Sequence, residues 1–472
     1  MLLVLILLPL FVAALIPFTP NNRSRVACLI TVALFHLGWV ISFWKFAPEV
    51  QAQGFLSLDV LGLLVLSIVS VLFAMVSLYL IGYLKPEGEG SNRMFISCLL
   101  IFLSAMTLVT VSRHMGLLWI ALEATTLFAA TLINFHRSQR GIEATWKCLL
   151  ICSVGIALAL LGTFFLAVAG NNIQTLLLED LFQHASLLSA SWLKLSVVFL
   201  LVGYGTKMGL APMHSWKPDA YGEAPGPVGA LMSGALTSCA FLAILRVGQL
   251  CYQAHQMPFF QSILLLLGLV SLFIAAIFIL GQTDFNRMLG YSSIEHMGIL
   301  VLGIGLGGMG FYGSIFHMLN NAFAKGLIFL VAGSLYRRYK TKNVKDIQGV
   351  LFSSPVLGVF LLIGLLAVTG FPPFGTFTSE LMILNAAVVG KHYVVAFFYV
   401  LFLAIIFIGM SRIILNMAQG RPREESTTSV AKEEISMVIP LIVLGGIIFS
   451  LGVYMPSFLE EALQRASVLL GG

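Results

Sequence analysis

The chain has 472 residues, of which 59% are hydrophobic and only 10% are charged, and its mean hydropathy is +0.99. Soluble proteins carry roughly 25% charged residues, and no hydrophilic stretch here is long enough to fold as a separate soluble domain. The composition therefore excludes a soluble protein and predicts an all-α polytopic membrane protein. The net charge of +6 follows from how the basic residues are distributed among the loops, so no nucleic-acid partner is expected.

Apolar windows of about 20 residues predict about fourteen transmembrane helices, which we number as spans in chain order. They cover residues 1–18, 26–44, 58–84, 94–111, 115–135, 144–169, 192–212, 227–251, 259–281, 287–306, 311–336, 355–389, 393–417 and 436–456. The first run has neither a basic residue ahead of it nor a small-residue cleavage site, which favours a spanning helix over a removable signal peptide. Residues 173–189 are too polar to span and are typical of an amphipathic surface helix.

The basic residues of the loops predict the orientation. One set of loops carries Arg23, Arg25, Lys85, Arg93, Arg137, Arg140, Lys147, Lys217, Arg287, Arg337, Arg338, Lys340, Lys342, Lys345, Arg421, Arg423 and Lys432. The other set carries only Lys45, Arg113, Lys194, Lys391 and Arg465. Because basic loops stay in the cytoplasm, this bias predicts a multi-pass protein of a bacterial or archaeal cytoplasmic membrane with both termini on the non-cytoplasmic side.

Several kinds of bound group are not expected. The six cysteines form no CxxC pair, which argues against an iron–sulfur cluster or a disulfide framework. Cys148 and Cys152 share a helix face, but buried structural thiols are the simpler reading. The nine histidines include no paired set at matching depth for haem, and no phosphate-binding loop is present. We therefore predict no cofactor and no metal in this chain.

Ionisable residues inside the apolar runs are the strongest functional signal. They are Glu123, Lys207, His296, Lys325 and Glu380, and 84 residues separate both Glu123 from Lys207 and His296 from Glu380 (207 − 123 and 380 − 296). A charge at the membrane centre costs roughly 2.5–3.5 kcal/mol or more. The matched spacing links spans five and seven to spans ten and twelve. An offset of five helices reverses direction in the membrane, which predicts an inverted repeat.

Two of these residues lie where helices are expected to break. Lys207 lies beside Gly205, Gly209 and Pro212, and Glu380 follows the pair Pro372–Pro373. Prolines remove backbone donors and glycines loosen helices. Interrupted helices at corresponding places in two halves are typical of an ion site in a transporter. The alternative is a pair of tolerated kinks with structural ion pairs.

The eleventh span carries His317, Asn321 and Lys325 at intervals of four residues, so they share one helix face. With His296 they predict a polar strip through which protons pass, since lysine and histidine can exchange protons whereas arginine cannot. The alternative is a hydrogen-bonded core histidine and a lysine paired with a carboxylate.

Asp59, at the start of the third span, is expected either to line an entrance or to cap a helix. Arg246 and Arg412 are expected to anchor helices.

The motifs around these residues resemble those of the antiporter-like subunits of respiratory complex I and of Mrp antiporters, most of all the component F type of hydrogenase-4 and related membrane-bound hydrogenases. They are LEATTLF, GTKMGLAPMHSWKPDAYGEAPGPVGALMSG, FNRMLGYSSIEHMG, NNAFAKGLIFL and TGFPPFGTFTSELMIL. The resemblance implies fourteen core helices with broken spans seven and twelve. It divides the chain into N-terminal helices (1–93), a first inverted repeat (94–251), a second (259–417) and a C-terminal helix with its tail (436–472).

The resemblance also implies roles for residues. Glu123 and Lys207 would form the interacting pair of the first half-channel, Lys325 would be the central lysine and Glu380 the exit residue. His296 and His317 match histidines of the central axis, and Asp219 and Glu143 match polar positions without a role that the sequence explains.

The sequence departs from the family pattern at two places. Many relatives carry a base in the eighth span where this chain has Thr237 and Ser238, and Asn321 replaces a second histidine.

The function expected from these residues is proton translocation within a larger redox-driven complex of the membrane-bound hydrogenase or complex I type. The chain encodes no redox centre, so partner subunits with a peripheral arm holding nickel–iron or iron–sulfur centres would supply the energy, and this chain would be a non-catalytic ion-translocating subunit. One alternative is Mrp-like exchange of Na⁺ for H⁺, although no carboxylate cluster is evident. Another is a structural subunit with a vestigial channel.

Overall fold

The computed structural model describes residues 1–46, 48–85, 92–135, 137–171, 173, 175–419 and 433–472. Within these ranges the chain is helical, with only four isolated β-bridges in the loops. Eleven of the described helices are long and apolar enough to cross a membrane, and Leu2–Phe18, Pro355–Val368 and Gly375–Val389 are shorter apolar helices. The all-α polytopic class is confirmed, while the exact count of fourteen spans stays a prediction.

The helix bounds follow the predicted spans closely. Spans one to six contain Leu2–Leu15 with the 3₁₀ turn Ile16–Phe18, then Asn22–Phe43, Val60–Tyr83, Asn92–Val111, Met115–Ile133 and Gln139–Ala169. Span seven, predicted over 192–212, contains Ala190–Met208 and continues beyond its predicted end in Trp216–Glu223. Span eight consists of Gly226–Ala230, the π-helix Leu231–Leu236 and Thr237–Gln253. The remaining spans are Met257–Ile279, Phe285–Leu306, Met309–Tyr339, the split pair Pro355–Val368 and Gly375–Val389, Tyr393–Gln419 and Ile435–Val453.

Short helices lie outside the spans. The predicted surface helix over 173–189 is reduced to Leu178–Gln183 and the 3₁₀ turn Ala185–Leu187, because its polar residues leave only one helical turn with a buried side. The other short elements are Ala52–Gly54, Val350–Ser353 and the amphipathic C-terminal helix Ser457–Val468. None of these is long enough to cross a bilayer.

The eighth, tenth and eleventh spans form the centre of the bundle. The spanning windows of Gly226–Gln253 and Met309–Tyr339 are fully buried, whereas that of Tyr393–Gln419 is 28% buried. Glycines allow the central helices to approach closely: a Cβ atom on Gly226 would lie 2.6 Å from the backbone nitrogen of Gly333. The polar residues of the central spans are thereby shielded from lipid.

One end of the bundle is held by charge pairs between loops. Glu434 accepts a bond from Lys85 at 2.8 Å and lies 3.6 Å from Arg337, which also donates to the carbonyl of Gly82 at 2.7 Å. The hydrogen bond from Lys85 holds the pKa of Glu434 below its usual value. These contacts join spans three, eleven and fourteen at the end that carries most of the basic residues, which we call the basic end. Arg421, Arg423 and Lys432, which were also assigned to this side, lie outside the described residues.

The two helix breaks lie in the seventh and twelfth spans, as predicted. They are five spans apart, as an inverted five-helix repeat requires. The ionisable residues, however, lie on different sides of their breaks: Lys207 is in the last turn before the first break, and Glu380 is in the helix after the second. The two residues are therefore not equivalent positions of a repeat, and the division of the chain into 94–251 and 259–417 stays a prediction.

Candidate functional site: a buried polar axis

The break in the seventh span places Lys207 at a helix end inside the protein. Helix Ala190–Met208 ends at Gly209, whose φ of +83° is accessible to glycine at little energetic expense. The carbonyls released by the break are satisfied by residues beyond it: Trp216 donates to the carbonyl of Thr206 at 3.0 Å, and Lys217 to that of Met208 at 2.7 Å. The break is thus a defined structure with its backbone acceptors paired.

Lys207 is linked to Glu123 through a hydroxyl. Its side chain is 1% exposed, and its Nζ donates to Thr126 Oγ1 at 2.5 Å. Thr126 Oγ1 lies 3.2 Å from Glu123 Oε2, to which it can donate. The resemblance implied direct interaction of Glu123 with Lys207, but no ion pair within 4.0 Å joins them among the described residues. Because Thr126 lies between them, the predicted pair is an indirect one.

Glu123 lies at the outer surface of the bundle. It is half-buried, and its Oε1 accepts a bond at 3.2 Å from Ser153, which is exposed. On the same faces of spans five and six, Ile120 is 54% and Leu150 62% exposed. The carboxylate is therefore surrounded by an apolar outer surface, an environment that disfavours an isolated charge.

Lys325 has a similar environment in the other half of the chain. Its side chain is fully buried, and its Nζ donates to Ser292 Oγ at 2.6 Å. Ser292 in turn donates to Glu295 Oε2 at 3.0 Å, and Glu295 is only 2% exposed. A lysine, a hydroxyl and a carboxylate are thus arranged as they are around Lys207. Glu295 was missed by the sequence reasoning, although a glutamate next to His296 in an apolar run was a visible signal.

The two predicted histidines form a row that leads towards Glu380. His296 Nδ1 lies 3.0 Å from His317 Nε2, and His317 Nδ1 lies 2.8 Å from Ser379 Oγ. Ser379 donates its own hydrogen to the carbonyl of Thr376, so its oxygen is free to accept from His317. Both rings are fully buried. This row can pass a proton by exchange between neighbouring nitrogen and oxygen atoms.

Glu380 lies beside the break of the twelfth span. A Cβ atom on Gly370, whose φ is +61°, would lie 2.7 Å from Glu380 Cδ, so the carboxylate packs directly against the glycine. Thr376 closes the break by donating to the carbonyl of Ala367 at 2.6 Å. Glu380 is 9% exposed, and Phe371 in the adjacent loop is exposed. Of the predicted axis residues of the second half, Glu380 is the one nearest to the surface.

The row on the eleventh span contains one gap. No direct hydrogen bond joins His317 to Lys325 in the described part of the chain, and Asn321 lies between them. Asn321 is 2% exposed, and its Oδ1 has no hydrogen-bond partner among the described residues. A buried amide oxygen of this kind is normally satisfied by a water molecule. Asn321 therefore fits a hydrated position between two titratable neighbours, although it cannot titrate itself.

The hydroxyls of Thr237 and Ser238 in the eighth span donate to the backbone of their own helix. Ser238 donates to the carbonyl of Gly234 at 2.6 Å, and Thr237 to that of Ser233 at 2.5 Å. Both acceptors belong to the π-helix of the same span. Thr237 and Ser238, which stand where many relatives carry a base, thus donate their hydroxyl hydrogens within their own helix.

Asp219 and Glu143 contribute to a charged cavity at the basic end. Asp219 lies 3.0 Å from Lys147 and 2.6 Å from Arg287, and Glu143 lies 2.7 Å from Lys147. The cavity has a volume of about 190 Å³ and opens beside the end of helix Trp216–Glu223. These two residues, for which the sequence offered no role, thus line a surface cavity together with basic partners.

Asp59 has a structural role. It caps helix Val60–Tyr83 by accepting from the amide of Gly62, and it holds Arg246 through two bonds of 2.5 Å, with Arg113 at 3.3 Å. Burial alone would raise the pKa of Asp59, but the guanidinium groups of Arg246 and Arg113 outweigh it and hold that pKa well below its usual range. Of the two expectations, the geometry agrees with the cap and with Arg246 as an anchor.

Within the described residues, one group of side chains has ligand atoms close enough together to hold a metal ion. The ligand atoms of His296, His317 and Glu380 lie within 4.8 Å of one another. However, both ring nitrogens of His317 are already engaged, with His296 and with Ser379. The hydrogen-bonded row accounts for these contacts without an ion, so the prediction of no metal is kept as a prediction.

Comparison with known proteins identifies the family. The family model described as NADH:quinone oxidoreductase/Mrp antiporter, TM, matches residues 112–409. The chain is 34% identical over 399 residues to the Hydrogenase-4 component F homolog of Methylacidiphilum infernorum (isolate V4), covering 83% of this chain and 81% of that protein. It is 28% identical over 430 residues to the Na(+)/H(+) antiporter subunit A1 of Staphylococcus haemolyticus (strain JCSC1435), covering 82% of this chain and 51% of that protein. The chain spans about half the length of the latter relative.

The fold has a counterpart among solved structures. A chain of the membrane-bound sulfane sulfur reductase, described as an archaeal respiratory membrane complex, has a TM-score of 0.89 at 21% identity and covers 99% of this chain and 97% of that chain. At this identity the likeness shows the fold alone. Together with the family match, it confirms the resemblance inferred from the motifs. The chain belongs to the NADH:quinone oxidoreductase/Mrp antiporter family and is one of its antiporter-like membrane subunits.

Proposed function

We propose that this chain carries protons across the membrane as one subunit of a redox-driven complex. Protons enter at the basic end beside Asp219, reach Lys207 and then Lys325, and leave through His296, His317 and Glu380. The helix after the first break, Trp216–Glu223, is about 12 Å long and leads from Lys207 to the basic end. The helix after the second break extends from Glu380 to the opposite end of the bundle. The two breaks thus face opposite sides of the membrane.

The observation that carries the proposal is a set of buried titratable groups, each of which is hydrogen-bonded to a hydroxyl or to an imidazole. Lys207, Lys325, His296 and His317 are each at most 1% exposed, and every one of them has a hydroxyl or imidazole partner within 3.0 Å. Buried ionisable groups are costly in a membrane protein, so such a set is not expected in a purely structural subunit. The carboxylates Glu123 and Glu295 bias the charge state of the two lysines through their hydroxyl neighbours.

The position of Glu123 supports the proposal that a partner subunit binds to the outer face of spans five and six. A half-buried carboxylate among exposed apolar side chains is poorly suited to lipid. A neighbouring membrane subunit with a polar group at this depth would provide it with a partner. Because the relative over most of this chain is named for hydrogenase-4, we propose a membrane-bound hydrogenase or complex I-like assembly with a peripheral arm that holds nickel–iron or iron–sulfur centres. We also propose that the chain lies in the cytoplasmic membrane with both termini on the outer side, which the distribution of basic residues among the loops supports.

The test is proton translocation by membrane vesicles that contain the assembled complex. We expect Lys207→Met or Glu123→Ala to abolish proton uptake driven by H₂ or NADH, whichever the purified complex oxidises, while the complex remains assembled. Lys345→Met is the matched control, since Lys345 is an exposed lysine of a basic-end loop. Full proton uptake in an assembled Lys207→Met complex contradicts the proposal and favours a structural subunit with a vestigial channel.

A second candidate function is exchange of Na⁺ for H⁺, because one relative is named as a subunit of a Na(+)/H(+) antiporter. Sodium requires several oxygen ligands at one place. In the described part of the chain, the grouped carboxylates Glu143 and Asp219 are already paired with Lys147 and Arg287. Reconstitution of the full chain in liposomes with an imposed Na⁺ gradient separates the two functions. Proton movement coupled to Na⁺ would favour exchange, and its absence agrees with the proton-only pathway.

A further inference from the structure

Lys217 is buried in the middle of the protein and not in a loop. The sequence places it among the basic loop residues, yet its side chain is 0% exposed. It is the second residue of helix Trp216–Glu223, and its side chain turns back into the break of the seventh span. A Cβ atom on Gly209 would lie 3.0 Å from both Cε and Nζ of Lys217. The missing side chain of Gly209 therefore makes the space that Lys217 occupies.

The ammonium group of Lys217 contacts backbone oxygens and an aromatic ring, with no counterion among the described residues. Its Nζ donates to the carbonyl of Met208 at 2.7 Å, lies 3.5 Å from that of Ser293 and is 5.7 Å from the centre of the Tyr221 ring. Among the described residues no carboxylate lies within 4.0 Å of it. A buried charge without a counterion is strongly disfavoured. Lys217 thus differs from the anchor Arg246, which is paired with Asp59.

The two backbone carbonyls near the ammonium of Lys217 belong to residues that are adjacent in sequence to Lys207 and to the hydroxyl partner of Lys325. Met208 directly follows Lys207, and Ser293 directly follows Ser292, whose hydroxyl accepts the bond from Lys325. The ammonium of Lys217 therefore lies beside the backbone of the residues that follow Lys207 and Ser292. In the eighth span, Thr237 and Ser238 donate their hydroxyl hydrogens to their own helix.

Polar atoms around Lys217 provide sites for water. The hydroxyl groups of Tyr221 and Ser293 are buried and lie near each other, but neither makes a hydrogen bond of normal geometry in the described part of the chain. Unsatisfied buried hydroxyls of this kind are normally bonded to water. Such water would extend from the ammonium of Lys217 towards Ser292 and Lys325.

We propose that Lys217 carries the proton between Lys207 and Lys325, an inference that rests on the proton translocation proposed above. In the first step one N–H bond of the Lys207 ammonium breaks and one forms on the neutral amine of Lys217, through water in the break. In the second step the Lys217 ammonium gives one proton to the neutral amine of Lys325. Each step moves a single proton, so neither requires an oxidant or a reductant.

The test compares three substitutions in the assembled complex, in membrane vesicles driven by H₂ or NADH as above. Lys217→Met removes the charge, Lys217→Arg keeps it without the ability to release a proton, and Lys217→His restores a titratable group. We expect the Met and Arg variants to lower the rate of proton uptake by about tenfold or more. We expect the His variant to recover part of it with an optimum at lower pH, because imidazole titrates near 6.5 and a lysine near 10.4. Lys345→Met serves as the control.

Each outcome distinguishes this inference from the proposed function. Lys207→Met is measured in the same preparations. If Lys207→Met blocks uptake and Lys217→Arg does not, the role of Lys217 is wrong and the proton pathway stands. If Lys207→Met also leaves uptake intact, the proposed function itself fails. Loss of assembly in all three Lys217 variants would assign the residue to folding alone and overturn the inference.

Discussion

Thr126 and Ser292 have the same role in two separate groups of residues: each accepts a hydrogen bond from a buried lysine and lies within bonding distance of a glutamate. The lysine nitrogens are at 2.5 Å and 2.6 Å, and the carboxylate oxygens at 3.2 Å and 3.0 Å. Thr126 follows Glu123 by three residues, whereas Ser292 precedes Glu295 by three. A rotation that relates two repeats preserves chain order, so the two groups share their chemistry without being equivalent positions.

Removing the hydroxyl of Thr126 should uncouple Lys207 from Glu123. We expect Thr126→Val to lower the rate of proton uptake by assembled complexes by roughly 10–100-fold. This factor corresponds to the free energy that a hydrogen bond to a charged group contributes. Thr126→Ser, which keeps the hydroxyl, should remain near the parent rate. Thr131→Val is the matched control on the same helix, since Thr131 is exposed and donates to the carbonyl of Phe128 in its own helix.

Glu295 should matter for transport even though it is adjacent to a more conspicuous histidine. We expect Glu295→Gln, which keeps the shape and removes the charge, to lower proton uptake by roughly 10–100-fold through loss of the charge-assisted bond with Ser292. Glu460→Gln, at an exposed position of the C-terminal helix, should have no effect. Parent-like uptake in assembled Glu295→Gln complexes would show that Lys325 needs no carboxylate neighbour.

Gly209 should tolerate no side chain. Alanine at a φ of +83° is strained by about 1–3 kcal/mol, and its Cβ atom would also collide with Lys217. Gly54 is a matched control because its φ is +91° and no atom lies within 4 Å of a Cβ placed there. We expect Gly209→Ala to lower the thermal unfolding temperature in detergent more than Gly54→Ala does. Equal decreases would mean that the space at Gly209 is not filled by Lys217.

Asp59→Asn should be strongly destabilising. It leaves Arg246, which is 1% exposed, without its counterion, a change that typically costs about 3–5 kcal/mol. Because the folded-state pKa of Asp59 lies below the usual 3.8, the carboxylate contributes its stability above that pH and loses it as the pH falls further. Acid unfolding should therefore be less steep in the variant. Glu461→Gln, which removes an exposed pair with Arg465, should change stability by less than about 1 kcal/mol.

Chelators should leave transport unchanged. If His296, His317 and Glu380 exchange protons, then dialysis of the purified complex against EDTA should not alter the rate of proton uptake. The measurement requires a complex whose redox activity survives the same dialysis. Restoration of lost uptake by added Zn²⁺ would assign the three residues to a metal site instead.

Much of the architecture could be predicted because it depends on local properties of the sequence. Apolar runs define the spans, and Gly209 and the Pro372–Pro373 pair mark the breaks, since helix termination is decided by the residues at the site itself. The row of His317, Asn321 and Lys325 follows from helical periodicity alone. These features required no knowledge of how the helices pack.

The remaining features depend on tertiary packing. Lys217 was assigned to a loop because hydropathy cannot indicate that a short helix after a break returns into the bundle. The family resemblance implied a direct pair of Glu123 with Lys207, but in the packed structure Thr126 lies between them. Glu295 was passed over beside His296, and only the position of Lys325 across the neighbouring helix reveals that it faces the axis.

The half-buried carboxylate of Glu123 has a consequence for how cells handle this polypeptide. In a copy that has not assembled with its partner subunit, this carboxylate is exposed to lipid on an otherwise apolar surface that includes Ile120 and Leu150. We expect membrane proteases to degrade copies of the chain that have not assembled. Such degradation would adjust the amount of this subunit to that of its partners. Glu123, for which we propose a role in proton transfer, would then also determine which copies of the chain are retained after assembly.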